Sequence, residues 1–450
     1  MSAPEKAWII TVLMGLGHLR AAYPLRRIAH KGLLVYGSRQ TTPPSEFRLW
    51  QGIRRFYYGS SRAGAIPVIG KAVVAFLLAV QNIPRYYPRS DQSRPNAGVR
   101  YLKFLMKKRR LGLGLWNRLA TAPFPAVHTY FATAIAMDRL NRERGGPHRD
   151  QYVIICDADF NRVWVAEDPK RSHIRYLAPC TQVKRRLLAY GVPEKSVHLT
   201  GFPLPKENIG SEEGMEILKT DLFDRLLRLD PSGKFFSYHR HSVLHWLGRK
   251  ALPPVRKQDF GVMFAVGGAG AQVELVKKIL AGLAGRIRAG EIQLTLSCGI
   301  MKRIFERVLG YIHRAGLGAE LDRGVRIIYD QDVYAYLDRF NAALRRTDVL
   351  WTKPSELTFY CGLGLPILMA DPIGAHEELN KRWLGEIHAG LTPPGPLEAS
   401  GEWLFDLRES GRLAEAAWDG FLKARTLGSY KIERLVLTGQ FSEGSSPLEQ

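Results

Sequence analysis

Cysteine is scarce and scattered in this 450-residue chain: Cys156, Cys180, Cys298 and Cys361 lie far apart and form no CxxC pair. A disulfide framework and a cysteine zinc site are both disfavoured, which suits a reducing cytoplasm. Long apolar runs are lacking too. A spanning helix needs roughly 20 clean apolar residues, and the most apolar stretch, 64–80 (GAIPVIGKAVVAFLLAV), is broken by Pro67, Gly70 and Lys71. The start, MSAPEKAWIITVLMGLGH, lacks a basic n-region and reads as a first β-strand, not a signal peptide. Acid is missing from one region. Between Gln51 and Ala120 there are fourteen Lys/Arg and a single acid, Asp91, so this stretch carries +13 of the net +23. An even spread would give it about +4, so the chain has a basic region and is not basic throughout.

What is present is an ordinary globular composition, 46% hydrophobic and 24% charged, which excludes disorder, collagen and coiled coil. The length suggests two or three domains. In the basic region Lys71, Phe76 and Leu77 belong to the apolar run, with Arg54, Arg55 and Tyr58 before it and Lys107, Lys108, Arg109 and Arg110 after it. Apolar stretch, aromatic flanks and cationic rim together fit a surface that dips into an anionic bilayer interface. The bland alternative is a buried helix beside a solvated charge run. Nucleic acid is the weaker partner, because a phosphate backbone has no need of the apolar run.

Strand and helix signals alternate in two series. Trp8–Met14 reads as a buried strand followed by a helix over Leu19–Ala29, and Tyr152–Cys156, His173–Ala178 and Val197–Thr200 are further strands. The charged, poorly periodic segment 206–258 reads as an interdomain connection. A second series runs through strands Phe260–Val266, Gln293–Ser297, Val325–Tyr329, Asp348–Trp351 and Pro366–Ala370, with helical sequence Arg412–Leu437 at the end. Such repetition, with glycines at strand ends, predicts two doubly wound α/β domains, whose ligands bind beyond the carboxyl ends of the strands.

Three loops carry chemistry. In Gly15-Leu16-Gly17-His18, Arg20 takes the third glycine's place of a dinucleotide fingerprint, so no nicotinamide or flavin cofactor is expected. His18 is left at a strand end, either as a base for an acceptor hydroxyl or as a structural cap. Gly267-Gly268-Ala269-Gly270-Ala271-Gln272 lets backbone N–H groups approach an anion, but lacks the Lys-Ser/Thr of a Walker loop. In Thr352-Lys353-Pro354-Ser355-Glu356-Leu357-Thr358, a strand leads into a capped helix suited to a diphosphate. After a glycine turn, His376, Glu377 and Asn380 offer polar groups for sugar hydroxyls, or simply a second helix cap. Finally Asp157-Ala158-Asp159 follows an apolar strand, where two carboxylates can hold a divalent ion.

In order and spacing these segments resemble the GT-B glycosyltransferases, nearest the bacterial and plastid diacylglycerol glycosyltransferases (monogalactosyldiacylglycerol synthase-like), with the peptidoglycan N-acetylglucosaminyltransferase more distant. The carriers are GLGHLRAA (15–22), DADFNRVWV (157–165), LLAYGVPEKSVHLTGFPLP (187–205), GGAGAQ (267–272), and KPSELT with GAHEELN within 353–380. The resemblance implies a GT-B fold: two Rossmann-like, doubly wound α/β domains facing a central cleft. It implies a nucleotide-sugar donor, with UDP as the nucleotide, held mainly by the second domain, and a lipid acceptor entering the first. His18 matches the loop histidine, as base or acceptor-positioning group, with Gly17, His128 and Asp159 assigned to the acceptor side. Gly267, Gly268, Ala269, Lys353, Ser355, Glu356, Thr358, His376, Glu377 and Asn380 are assigned to the donor. The family uses its Asp-Phe without a metal, so no metal is expected at Asp157 and Asp159. Ser355 replaces the family's glycine, and two residues are missing where it carries a ribose-binding glutamate. Cys361 falls nearest that place, with Glu356 the neighbouring acid.

The expected organisation is an acceptor domain over 1–205, a connection over 206–258, a nucleotide-sugar domain over 259–437 and a polar tail over 438–450. The expected activity is inverting, metal-independent transfer of a sugar to a lipid or lipid-linked hydroxyl, by a protein bound peripherally to the inner face of the cell membrane. A nucleotide-sugar epimerase and a non-catalytic membrane- or polyanion-binding protein on the same fold are the alternatives.

Overall fold

The computed structural model describes residues 6–52, 82–87, 89–145, 150–253, 259–267, 270, 272–372 and 374–444. These form two compact units: the described residues within Met1–Pro203, Ile373–Asn380 and Leu427–Gly444, and those within Leu204–Pro372 and Lys381–Thr426. The described part of each unit contains a six-stranded sheet.

In the first unit the strands are β1 (Trp8–Val12), β2 (Leu34–Tyr36), β3 (Ala126–His128), β4 (Gln151–Ile154), β5 (Ile174–Ala178) and β6 (Val197–Leu199). They are ordered β2-β1-β3-β4-β5-β6 and all pair in parallel. The second sheet contains β7 (Phe260–Ala265), β8 (Ile292–Gly299), β9 (Val325–Tyr329), β10 (Val349–Thr352), β11 (Ile367–Met369) and β12 (Gly390–Leu391). Its order is β12-β11-β10-β7-β8-β9, again parallel throughout. Counted from its own first strand this is the doubly wound order 3-2-1-4-5-6. The expected α/β class of two doubly wound, GT-B-type units is therefore observed. The central strands WIITV and FGVMFA are buried at every position, as strands covered by helices on both faces must be.

The helices of the first unit are α1 (Gly17–Ala22), α2 (Ala97–Arg109), α3 (Leu113–Leu119), α4 (Phe131–Arg144) and α5 (Thr181–Ala189). Next come α6 (Glu216–Leu229), α7 (Lys234–Trp246), α8 (Leu275–Arg288), α9 (Lys302–Arg314) and α10 (Val333–Leu344), then α11 (Ala375–Glu386), α12 (Ser400–Glu409), α13 (Arg412–Lys423) and α14 (Gly428–Thr438). No helix among the described residues is long and apolar enough to cross a membrane.

Three expectations differ from this. The helix expected over Leu19–Ala29 is α1 followed by a 3₁₀ turn, Tyr23–Ile28. Pro24, with no N–H to donate, stands at the change. The described part of 206–258, read as a connection, folds as α6 and α7 within the second unit. Its charge misled: Arg225 is buried and donates to the carbonyls of Thr347, Leu363, Gly364 and Leu344, while Arg228 Nε bonds Asp348 Oδ1 at 2.7 Å. Asp348 is itself enclosed and accepts from Gly261 N at 2.8 Å, which ties β10 to β7. A side chain at Gly261 would meet the carbonyl of Arg346 at 2.4 Å, so the close approach requires glycine. Lastly, the helical stretch 412–437 breaks after Lys423, and α14 belongs to the first unit.

Candidate functional site

The first sheet reverses its winding at β1, with β2 on one side and β3 on the other. Crevices form outside the carboxyl ends of strands at such switch points. Gly15 (φ +77°) turns the chain beyond β1, and α1 opens with Gly17 and His18. The half-buried His18 ring packs edge-on against Tyr130, beyond β3, at 5.2 Å between centroids, and lies 6.2 Å from Trp164. Its Nδ1 is 3.7 Å from Cys156 Sγ, just past β4. Residues following three neighbouring strands therefore converge on one imidazole.

Beside it is a cavity of about 310 Å³ whose walls are mostly apolar: Met14, Trp50, Leu102, Leu105, Phe131 and Trp164, with His18, Asp157, Asp159, Asn161 and His376 as polar groups. Tyr101 on α2 lines it as well and is 59% exposed, so the cavity opens at that helix. The candidate base and the candidate sugar contact, His18 and His376, thus share one cavity within the first unit. The glycine turn and the spacing pointed to both. Trp50, Tyr130, Trp164 and the α2 face were missed, since nothing in the sequence joins such distant segments.

The segment DADFNRVWV is the knot that holds this wall. Both Asp159 carboxylate oxygens accept from Arg186, at 2.7 Å each, and further bonds come from Phe160 N (2.8 Å) and Gln182 (3.2 Å). Burial works against the Arg186 charge, yet Asp159 outweighs it and holds the guanidinium pKa above its ordinary value. Asn161 Oδ1 accepts from Asn96 at 3.0 Å, and Asn96 caps α2 through Val99 N. Arg162 donates to the Ser93 carbonyl. Asp159, assigned to the acceptor, lines the cavity and is held in place by Arg186. Its neighbour Asp157 accepts at Oδ1 from Asn380 Nδ2 at 2.9 Å.

Asn380 and His128 are also enclosed. Asn380 accepts from Ala158 N at 2.7 Å, so its amide holds the 157–158 turn. His128 has no exposed surface, and its ring nitrogens pair with Thr133 Oγ1 (2.9 Å) and Gln151 Oε1 (2.8 Å). Burial pushes its pKa down to about 4. Glu377 is likewise buried, 3.8 Å from His376 Nε2, while His376 is 37% exposed.

The second sheet has its switch point between β7 and β10. Gly267 (φ +81°) follows β7, Lys353 follows β10, and the Lys353 alkyl chain packs beside Gly267. Ser355 is extended, its side chain caps nothing, and the expected helix is a 3₁₀ segment, Glu356–Leu363. Lys353, Ser355 and Glu356 are half-buried, whereas Thr358 and Cys361 are fully enclosed. Gly268 and Ala269 lie outside the described residues.

So do Arg54, Arg55, Lys71, Phe76, Leu77 and the Arg109 side chain. Lys107, Lys108 and Arg110 are exposed. On α2, Leu102, Leu105 and Met106 face inward, while Tyr101 and Phe104 (50% exposed) stack outward at 6.5 Å.

A family model described as a domain of unknown function, DUF6938, matches residues 303–400. No curated protein matches the chain. Among solved structures it is similar to the glycotransferase of kitacinnamycin, at 13% identity and a TM-score of 0.47, covering 97% of this chain and 99% of that one. It is also similar to Acinetobacter baumannii MurG (13%, 0.41, covering 81% and 88%) and to the Staphylococcus aureus MnaA–UDP co-structure (12%, 0.42, covering 77% and 82%).

Asp159 and His128 each carry a stability prediction. Asp159→Ala leaves a buried guanidinium without its partner and is expected to cost about 3–5 kcal/mol in urea unfolding, far more than an exposed acid would. His128 stays neutral in the fold down to about pH 4, but the unfolded chain protonates near 6.5. Its contribution is therefore complete above pH 6.5 and is lost as pH falls from there toward 4. Between pH 7.5 and 5 the wild type should lose about 2 kcal/mol more than His128→Gln, which takes up no proton. Equal losses in the two proteins contradict this.

Proposed function

We propose that this chain is an inverting, metal-independent glycosyltransferase that moves a sugar from a nucleotide-sugar donor, UDP-linked, to a lipid or lipid-linked hydroxyl at the cytoplasmic face of a membrane. The observation that carries the reading is the apolar cavity with His18 and His376 in its wall and the exposed Tyr101 at its opening. A polar acceptor gains little from walls of Trp50, Leu102, Leu105 and Phe131, whereas an acyl or prenyl segment is favoured by about 25 cal/mol per Å² of apolar surface removed from water. The cationic, aromatic outer face of α2 suits anionic headgroups beside that opening.

In the reaction, the acceptor oxygen bonds to the anomeric carbon while the bond from that carbon to the diphosphate oxygen breaks on the opposite face. The His18 imidazole takes the hydroxyl proton. With Nδ1 turned toward Cys156, Nε2 is the nitrogen assigned to that proton. Lys353, Ser355, Glu356 and Gly267, at the switch point of the second sheet, are the proposed diphosphate and nucleotide contacts, together with Gly268 and Ala269 on sequence grounds. His376, with Glu377 behind it, is the proposed sugar contact.

Labelled UDP-sugars incubated with extracted lipids test this directly. Label should appear in lipid, and His18→Ala should lower the rate by roughly 100-fold or more without loss of fold. Conversion of the free nucleotide sugar, with no labelled lipid, would instead identify an epimerase. Full activity in a folded His18→Ala protein would remove the histidine from the mechanism.

A further inference from the structure

Trp50 has no step in the proposed reaction, yet it stands in the wall of the cavity beside His18. Its ring is held by packing. Tyr36, the last residue of β2, meets it edge-on at 6.0 Å between centroids, and Tyr130 meets it at 5.9 Å. A side chain at Gly37 would already touch the Trp50 side chain at 3.4 Å. Trp50 is 4% exposed, and its Nε1 is buried without a hydrogen-bond partner. Among the described residues that line the cavity, no other has a buried side-chain nitrogen or oxygen left in that state. The Asn161 carboxamide and the Asp157 and Asp159 carboxylates are bonded within the protein. A buried indole N–H ordinarily has an acceptor, and one that the chain leaves over calls for a partner from outside it. The space that adjoins Trp50 is the cavity. The Tyr130 ring that meets Trp50 also packs on His18, at 5.2 Å, so the indole and the proposed base flank one tyrosine.

We propose that Trp50 is a specificity-determining residue, whose indole N–H bonds a non-reacting oxygen of the acceptor beside the hydroxyl that His18 serves. The inference rests on the proposed lipid acceptor and narrows its chemistry. An indole N–H donates only. On the reacting hydroxyl it would draw on the lone pairs that attack the anomeric carbon, so the oxygen it serves is a second one. A prenyl alcohol has no second oxygen and would leave the N–H buried and unpaired, which is costly. A phosphate oxygen would bring negative charge toward the Asp157 and Asp159 carboxylates of the same wall. A neutral ester carbonyl next to the hydroxyl meets both conditions. Apolar pockets orient their ligands in this way, through a few placed polar groups.

NMR of the full chain, isotope-labelled at its tryptophan nitrogens, tests this through the indole N–H signals of the nine tryptophans. Trp50→Phe, which keeps an aromatic ring and removes the N–H, identifies the Trp50 signal, and Trp164→Phe identifies that of Trp164. Dioctanoylglycerol in detergent micelles should move the Trp50 proton downfield. Farnesol, whose single oxygen is its hydroxyl, should move the Trp164 signal but shift the Trp50 proton far less. Trp50→Phe should bind dioctanoylglycerol roughly tenfold more weakly than the wild type and farnesol equally well, with circular dichroism checking the fold. Should that variant not fold, the wild type still decides, since one indole proton must move downfield with the ester lipid and not with the alcohol. A Trp164 signal that moves with both lipids while the Trp50 proton stays put, or responds equally to the two, overturns the inference and leaves the proposed acceptor site standing. No movement of either signal with either lipid overturns both.

Discussion

Both units are organised by one topological constraint: each sheet begins in its interior and is wound outward in two directions from that first strand. Right-handed crossovers then carry the helices after neighbouring central strands to opposite faces of the sheet. A crevice opens outside the carboxyl ends at that point, so the loops there are the ones placed to take a ligand. In the first sheet these are the Gly15–His18 turn after β1 and Tyr130 after β3; in the second they are Gly267 after β7 and Lys353 after β10. The candidate chemistry therefore follows from strand order before any single side chain is considered.

Holding those loops still is the work of buried polar groups. Asp159 and Arg186 exchange two short hydrogen bonds out of water, and Asn161 and Arg162 tie the same segment to residues 93–96 at the start of α2. Asn380 clasps the 157–158 turn from α11. One nine-residue segment thus fixes Trp164 beside His18, sets the base of α2 and keeps His376 at the cavity. Asp159 is paired with Arg186 out of water, and its removal should be felt as instability first. The exposed aromatic and cationic side chains of α2 stand on the outer face of the same scaffold.

The strand series was legible because the parallel strands of a doubly wound sheet are apolar on both faces: Trp8–Val12, Phe260–Ala265 and Val349–Trp351 read as uninterrupted runs. Leu34–Tyr36 and Ala126–His128 are three residues each, too short to stand out from their surroundings, and the second ends in a histidine. The segment holding α6 and α7 reads as a linker because Arg225 and Arg228 count as polar in a periodicity, although Arg225 is buried among carbonyls and the half-buried Arg228 is paired with Asp348. His18, Lys353 and His376 could be placed from glycine turns and spacing. The surroundings of Asp159, Asn380 and His128 could not, because the sequence shows that a polar residue follows a strand but not that Arg186, Asp157 or Gln151 bonds it.

The central claim is that the cavity beside His18 receives the apolar part of a lipid acceptor. Trp50 and Trp164, two of the nine tryptophans, stand in its wall, so a diacylglycerol with bromine on its acyl chains should quench their fluorescence on entry. The account predicts saturable quenching in the wild type that is largely lost when Trp50 and Trp164 are both changed to Phe, with the other seven tryptophans unchanged. Quenching of the same size in that double variant, or no quenching in the wild type, would contradict it.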